Sequence, residues 1–150
     1  MADPDATADA RPSGLQQLRA MMAAGTGAPI AETLRFRLVE ADEDHVAFEG
    51  APDRSVYNPI GSVHGGYAAT LLDSACGCAV HARLAADQAY TTLELKISYL
   101  RAISEATGPV RAEGRVVQMG RRAAFAEATL ADAAGRLLAT ATSTLLVFAR

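Results

Sequence analysis

The chain has 150 residues, 50% of them hydrophobic, which suffices for one domain with a substantial core and is too apolar for a disordered polymer. The formal net charge is −3, and the sequence contains neither a basic stripe nor a polybasic segment, which argues against binding to nucleic acid or to an anionic membrane. No apolar run approaches the length of a membrane span, and the acidic N-terminus is unlike a signal peptide. We therefore predict a cytoplasmic protein.

The first third of the chain predicts a tail, a helix and a hairpin. Residues 1–13 are rich in Ala, Asp and Pro and predict a disordered tail, which leaves a single domain over residues 14–150. The stretch SGLQQLRAMMAAGTG carries Leu and Met at helical spacing and predicts a short helix. ETLRFRLVEA and HVAFEG then predict two strands, which the turn-like ADED joins into a hairpin.

The remainder of the chain predicts one long helix and four strands. The helix runs from Gly65 to about Leu84, and it is apolar around most of its circumference, so it should be buried on nearly all sides. The four strand candidates are AYTTLELKISYLRAI, GPVRAEGRVVQMG, RRAAFAEATLADA and GRLLATATSTLLVFAR. Because the order shows no βαβ alternation, we expect an α+β fold in which a six-stranded antiparallel sheet packs on the long helix.

Two cysteines, Cys76 and Cys78, lie on this helix. Two positions apart, they point to different sides and cannot bridge each other easily, which predicts buried thiols in a reducing compartment. Cys78 and His81 could share a helix face. Two candidate ligands do not complete a zinc site, however, so we predict no metal centre.

Asp73 stands in the middle of the apolar helix. A carboxylate among apolar side chains is costly unless it has partners or a task. It could bond a nearby backbone group, it could face solvent at a seam, or it could act on a ligand. Gly77, one turn further on, weakens the helix by about 1 kcal/mol relative to alanine and removes a side chain where a ligand could lie.

The tripeptide His64-Gly65-Gly66 begins the helix. The N–H groups of a first helical turn have no intrahelical acceptor, and the positive end of the helix dipole attracts a developing anion, so this turn could form an oxyanion hole. Gly65 and Asp73 are eight residues apart, about 12 Å along a helix, and both cannot act on one carbonyl in the same subunit. The pattern predicts a dimer in which two antiparallel helices share two sites.

The spacing Asn58-x2-Gly61-x2-His64-Gly65-Gly66-x6-Asp73, followed by TLELKISYLR, resembles the hotdog-fold acyl-CoA thioesterases. Within these it is similar to the phenylacetate-pathway (PaaI-type) and hydroxybenzoyl-CoA group. The resemblance covers roughly residues 30–148. It implies the hotdog fold, a long central helix wrapped by an antiparallel sheet. It also implies hydrolysis of an aromatic or short- to medium-chain acyl-CoA to free acid and coenzyme A, without a cofactor, by a homodimer that commonly pairs into a homotetramer.

The resemblance assigns roles to individual residues. Asp73 matches the catalytic carboxylate, which acts as general base or as nucleophile. The N–H of Gly65 matches the oxyanion donor, with Gly66 beside it. Asn58 matches the residue that orients substrate or water, and His64 matches the histidine that braces the loop and polarises the thioester region.

Two further assignments stay open at the sequence level. The hydroxyl near the water falls on Thr92 by direct match, whereas strand alternation places Thr91 on the helix-facing side with Leu93 and Leu95. Basic residues that hold coenzyme A phosphates in relatives correspond here to Arg121 and Arg122, which could equally form a solvated hairpin.

Two other functions are possible on the same fold. An acyl-CoA hydratase needs an acid–base pair aimed at the acyl α and β carbons, and the dehydratase-type Asp-His arrangement is not seen. A non-catalytic acyl-CoA sensor usually adds a DNA-binding segment, and the first 30 residues carry neither a helix-turn-helix pattern nor a basic patch. The presence of Asp73 also counts against a sensor.

Overall fold

The computed structural model describes residues 11–150, so the first ten residues of the predicted tail lie outside the described part. Within that part the chain forms three α-helices, six strands and two short 3-10 helices, Arg54–Val56 and Glu105–Thr107. The α-helices are α1 (Gly14–Ala24), α2 (Pro29–Leu34) and α3 (Gly65–His81). The strands are β1 (Phe36–Ala41), β2 (Val46–Gly50), β3 (Gln88–Tyr99), β4 (Val110–Met119), β5 (Ala123–Asp132) and β6 (Leu137–Ala149).

The six strands form one antiparallel sheet in the order β1-β2-β4-β5-β6-β3. The sheet packs against α3, and Leu71, Leu72, Ala75 and Val80 of this helix are fully buried. Every second residue of β5, and of β4 from Val110 to Val116, is buried on the helix side, because successive side chains of a strand point to opposite faces. The predicted hotdog architecture is therefore confirmed.

The long helix is confirmed, although it ends at His81 rather than near Leu84. After His81 the chain continues with two i→i+3 hydrogen bonds. The N–H of Arg83 donates to the carbonyl oxygen of Val80, and the N–H of Leu84 donates to the carbonyl oxygen of His81. These i→i+3 bonds are common where an α-helix ends.

Gly114 of β4 allows the sheet to lie directly on the backbone of α3. A Cβ atom at this position would stand 2.2 Å from the carbonyl oxygen of Ala75. A contact that short requires the backbone to shift, so the close packing of β4 on the helix depends on this glycine. The small side chain of Ala75 allows the same close approach from the helix side.

Helix α2 corrects the prediction that ETLRFRLVEA is one strand. Pro29 begins the helix, and proline at this position supplies a helical φ without losing a needed N–H. Arg35 ends the helix in a left-handed conformation, with φ of 57°, and β1 begins only at Phe36. The alternation of Leu34, Phe36 and Leu38 thus crosses a helix–strand boundary.

Strand β3 lies at one edge of the sheet and contains a β-bulge. Thr92 pairs with Leu145 and Glu94 with Thr144, so Leu93 is the extra residue, and 60% of its surface is exposed. The extra residue reverses which side chains of β3 face the helix and which face away from it, as bulges do. The prediction that Thr91 and Leu93 face the helix is therefore wrong, since Thr92 faces it.

Over residues 11–150, no helix is both long enough and apolar enough to cross a membrane.

Candidate active site

Asp73 lies on the middle of α3 and is half-buried. The hydroxyl of Thr92 on β3 donates a hydrogen bond of 3.0 Å to its Oδ1 atom. Among residues 11–150, no donor bonds the second carboxylate oxygen, Oδ2. One oxygen is thus oriented by the protein and the other can accept a hydrogen bond from water.

A cavity of about 180 Å³ opens beside Asp73. Its α3 and β3 side is formed by Asp73, Ser74, Cys78, Tyr90 and Thr92. The remaining wall comes from α1, α2, β1 and β2, and its side chains are apolar. In the part of the chain that the structure describes, residues 11–150, Asp73 is the only carboxylate lining the cavity, so a ligand there would meet one acidic group in otherwise weakly polar surroundings.

The other titratable groups near Asp73 are protonated at neutral pH. Burial raises the pKa of the Cys76 and Cys78 thiols to about 12, and the negative charge of Asp73 acts in the same direction. Burial also raises the pKa of Tyr90. Because a thiol reacts as its thiolate, neither cysteine is a suitable nucleophile here. Both are free thiols, and among the described residues no group of three or more potential ligands is placed to hold a metal ion.

The space beside Gly77 is occupied by Tyr90, not left free for a ligand. A Cβ atom on Gly77 would lie 2.6 Å from the Tyr90 hydroxyl. The ring of Tyr90 also packs against His81, with the ring centres 5.9 Å apart. Gly77 therefore makes room for the ring of Tyr90, and Tyr90 rather than Gly77 lines the cavity. Gly77 thus acts on a ligand only through the position of this ring.

At the N-terminus of α3, His64 is the N-cap residue, and its Nδ1 atom accepts a hydrogen bond of 2.8 Å from the N–H of Gly66. The Gly66 N–H is thus already paired, which argues against its predicted contact with substrate. Within the described residues, the N–H of Gly65 has no acceptor. This donor therefore remains available at the positive end of the helix.

Tyr99, at the end of β3, makes a contact that the sequence does not predict. Its hydroxyl donates a hydrogen bond of 2.8 Å to the carbonyl oxygen of Gly65. Both residues line a groove of about 480 Å³, which also includes His64 and Arg101. An aromatic residue at a strand end gives no signal of this contact in the sequence, because the contact joins positions 34 residues apart.

Asn58 organises the loop before α3. Its side-chain oxygen accepts hydrogen bonds from the N–H groups of Ile60 and Ser62, at 3.1 and 3.2 Å. Its amide nitrogen donates to the Ser62 hydroxyl at 3.0 Å. Both hydrogen bonds of the Asn58 side-chain oxygen thus stabilise the turn, and one hydrogen of its amide group remains for a ligand.

Arg121 and Arg122 are exposed in the connection between β4 and β5. They line a groove of about 500 Å³ together with the start of β3 and the end of β6. Gln88 in this groove is two residues from Tyr90, which lines the cavity beside Asp73. The arginine pair therefore lies toward the Asp73 end of the protomer.

The two halves of the candidate site are separate within one protomer. The cavity beside Asp73 does not include Gly65, and the groove beside Gly65 does not include Asp73. The two residues are on one continuous helix, and eight residues correspond to about 12 Å. A thioester carbonyl bound at one of them does not reach the other in the same chain.

Comparison with known proteins assigns the chain to a family. The model of the thioesterase superfamily matches residues 60–139, just over half of the chain, and the chain belongs to this superfamily. This segment contains both α3 and the candidate residues on β3.

Individual relatives agree with the resemblance to phenylacetate-type hotdog thioesterases. A thioesterase family protein from Silicibacter pomeroyi is 28% identical, with a TM-score of 0.80, over 92% of this chain and 100% of that one. A candidate thioesterase of Ralstonia eutropha, described as related to phenylacetic acid degradation, is 27% identical, with a TM-score of 0.76, over 86% and 98%. A candidate esterase of Halobacterium salinarum is 44% identical over 69 residues, 45% of this chain and 44% of that protein. The match thus spans less than half the length of this curated relative.

Proposed function

We propose that the protein is an acyl-CoA thioesterase, which hydrolyses an aromatic or short- to medium-chain acyl-CoA to the free acid and coenzyme A. The observation that carries this proposal is the position of Asp73, a carboxylate held by Thr92 at the edge of an apolar cavity. A general base needs a fixed carboxylate with one oxygen free for water, and an acyl group needs an apolar pocket beside it.

The oxyanion donor in this proposal is the N–H of Gly65. This group has no acceptor within the described residues, and the helix dipole adds a partial positive charge at the same place. Such a donor stabilises the negative charge that develops on the thioester oxygen. His64 caps the helix and Tyr99 holds the Gly65 carbonyl, so both keep the donor in place.

The complete site requires two subunits, because Asp73 and Gly65 of one chain lie about 12 Å apart along α3. Strand β3 supports a dimer, since it is a 12-residue strand with one unpaired edge. Long free edges are normally covered or paired. In the proposed homodimer, Asp73 of one protomer faces Gly65 of its partner, and two such dimers would form the homotetramer.

The reaction has two possible courses on this site. Asp73 can remove a proton from water as the water oxygen attacks the thioester carbon, after which the C–S bond breaks and coenzyme A leaves as a thiolate that takes up a proton. Alternatively, Asp73 attacks the thioester carbon directly, the C–S bond breaks, and coenzyme A leaves as a thiolate that takes up a proton. Water then hydrolyses the resulting anhydride to the free acid and the Asp73 carboxylate. In both courses Thr92 orients the carboxylate.

Binding of coenzyme A is assigned to Arg121 and Arg122 in this proposal. The side chains of both residues are exposed beside a groove that includes Gln88, two residues from Tyr90 of the cavity. Guanidinium groups bind phosphates through paired hydrogen bonds. A cytoplasmic location stays a prediction, which the two free thiols support.

The test is release of coenzyme A from a panel of aromatic and aliphatic acyl-CoAs, measured as free thiol. The wild-type protein should hydrolyse at least part of the panel, and Asp73→Asn should lower kcat by about 10²–10⁴-fold, the scale of a general base. The matched control is Glu43→Gln, which changes an exposed carboxylate between β1 and β2 and should keep full activity. Normal turnover by Asp73→Asn would refute the mechanism, and hydration of an enoyl-CoA without thiol release would favour a hydratase.

A further inference from the structure

The cavity beside Asp73 is built largely from residues that precede the segment matched by the family model. Of the 13 lining residues, eight lie before residue 60. Five of these belong to α1, α2 and the turn between them, and we call them the N-terminal wall: Leu18, Met21, Gly27, Ala28 and Ala31. The catalytic side of the cavity thus comes from the family-matched segment, whereas the N-terminal wall comes from a part of the chain outside it.

The N-terminal wall is held firmly on the rest of the protein. The N–H of Gly14 bonds the carbonyl of Leu84 at 3.0 Å, and a Cβ atom on Gly14 would lie 1.7 Å from the carbonyl oxygen of His81. The side chain of Gln17 contacts His81 at 3.1 Å. The first turns of α1, the helix that carries Leu18 and Met21 of the wall, are thus fixed to the end of α3.

The volume of the cavity limits the acyl group. An apolar cavity of about 150 Å³ in a protein core accommodates one benzene molecule. The cavity here has about 180 Å³, and its N-terminal wall is apolar. It therefore has room for a single ring or for about six carbons, with the thioester carbon next to Asp73.

We propose that the N-terminal wall determines the acyl specificity of this protein, and that Met21 limits the pocket to a single ring or an aliphatic chain of about six carbons. This inference rests on the proposed thioesterase function. Met21 lines the cavity and is half-buried, whereas its neighbour Met22 is half-buried but does not line it. Met21→Ala removes three heavy atoms from the pocket lining. Met22→Ala removes the same three atoms from a side chain that does not line the pocket.

The experiment compares kcat/KM for butanoyl-, hexanoyl-, phenylacetyl- and decanoyl-CoA in wild type, Met21→Ala and Met22→Ala. Wild type should prefer hexanoyl- or phenylacetyl-CoA over decanoyl-CoA by at least about 10-fold, since pockets discriminate apolar groups on this scale. Met21→Ala should raise the decanoyl-to-hexanoyl ratio by about 10-fold, and Met22→Ala should leave it unchanged. A wild-type preference for decanoyl-CoA, or equal ratios in the two variants, would overturn the inference.

A second variant tests the opposite direction. Ala31 is buried and lines the cavity, so Ala31→Leu should fill part of it and shift the preference from hexanoyl- to butanoyl-CoA. An unchanged preference in a variant that unfolds at the wild-type temperature would contradict the inference.

Titration of Asp73→Asn with the same acyl-CoAs separates the two proposals. If wild type hydrolyses none of them, the thioesterase proposal fails, while the binding preference for six-carbon and ring-sized groups still tests the pocket.

Discussion

The hydroxyl of Thr92 lies 3.0 Å from the Oδ1 atom of Asp73, and this bond connects the edge strand β3 to the central helix α3. A hydroxyl that donates to one carboxylate oxygen fixes the plane of the carboxylate. The bulge at Leu93 turns Thr92 toward the helix, and the Ser143 hydroxyl donates to the carbonyl of Glu94 at 2.9 Å beside it. The orientation of Asp73 thus depends on one irregularity in the sheet.

Thr92→Val should lower kcat by about 10-fold or more, with a smaller change in KM. Valine keeps the shape of threonine but removes the donor, and a hydrogen bond to a charged group contributes about 1.5–3 kcal/mol. The measurement is steady-state hydrolysis of the best acyl-CoA of the panel.

Thr91→Val is the matched control for this variant. Thr91 precedes Thr92 on the same strand but is exposed on the opposite face of the sheet. Its replacement should leave kcat within about twofold of wild type, because surface substitutions rarely exceed ±0.5 kcal/mol. Equal losses in the two variants would mean that the Thr92–Asp73 bond has no special role.

The sequence predicts the layers of the fold because they depend on periodic patterns. The apolar circumference of α3 extends over 17 residues and the alternation in β5 over ten, and the structure confirms both elements. The motif from Asn58 to Asp73 likewise places the candidate residues on a loop, a helix N-terminus and a buried helix. Long patterns average over local exceptions, so they predict elements well.

Structural details that depend on a single residue are not predicted by the sequence. Leu93 fits the strand pattern, yet it bulges out and exchanges the faces of Thr91 and Thr92. Arg35 carries no turn signal, yet its left-handed conformation separates α2 from β1. The ring of Tyr90 fills the space beside Gly77 from a strand 13 residues further along the chain. Each outcome depends on tertiary contacts that no local pattern records.

Folding stability should decrease as the pH falls from about 7.5 to 5.5, partly because of His81. Burial lowers the pKa of this histidine below its ordinary value of 6.5, and the positive charge of Arg150 acts in the same direction. The unfolded chain therefore binds the proton more readily than the folded protein. The contribution of His81 to stability is complete above its unfolded pKa and is lost as the pH falls toward its folded pKa.

Urea unfolding at several pH values checks this expectation. His81→Gln should flatten the dependence of the free energy of unfolding on pH between about 7.5 and 5.5. The carboxyl groups of Glu113 and Asp132 contribute only at lower pH, because hydrogen bonds to Arg111 and to Arg136 hold their pKa values below the ordinary range. An identical slope in wild type and variant would exclude His81 as the cause.

Replacing Arg121 and Arg122 together by alanine should raise KM by about 3- to 10-fold and change kcat less, since exposed charge pairs contribute up to about 1 kcal/mol each. The effect should shrink at high ionic strength, where exposed charges are screened. Arg37→Ala, an exposed arginine on β1 away from this groove, is the control and should leave KM unchanged. An unchanged KM in the double variant would mean that the two arginines belong to a solvated turn and do not bind coenzyme A.

Mixing two inactive variants tests whether the site is shared between subunits. Gly65→Pro removes the proposed oxyanion donor, and proline is favoured at the first helical position. Its Cβ atom would lie 3.1 Å from the Tyr99 hydroxyl, so the Tyr99 side chain must shift slightly. The residue before position 65, His64, already has φ of −60° and ψ of 135°, a conformation that a following proline accepts. Asp73→Asn removes the proposed base, so each variant alone should be nearly inactive.

In a mixed dimer of Gly65→Pro and Asp73→Asn, one site carries both changes and the other carries neither. Equal mixing and full exchange of subunits give half mixed dimers, each with one intact site, so about a quarter of wild-type activity should return. Mixing Asp73→Asn with Asp73→Ala is the control and should restore none, since every site then lacks the carboxylate. If the first mixture forms mixed dimers, as native mass spectrometry can verify, and stays inactive, Asp73 and Gly65 do not act together across the subunit interface.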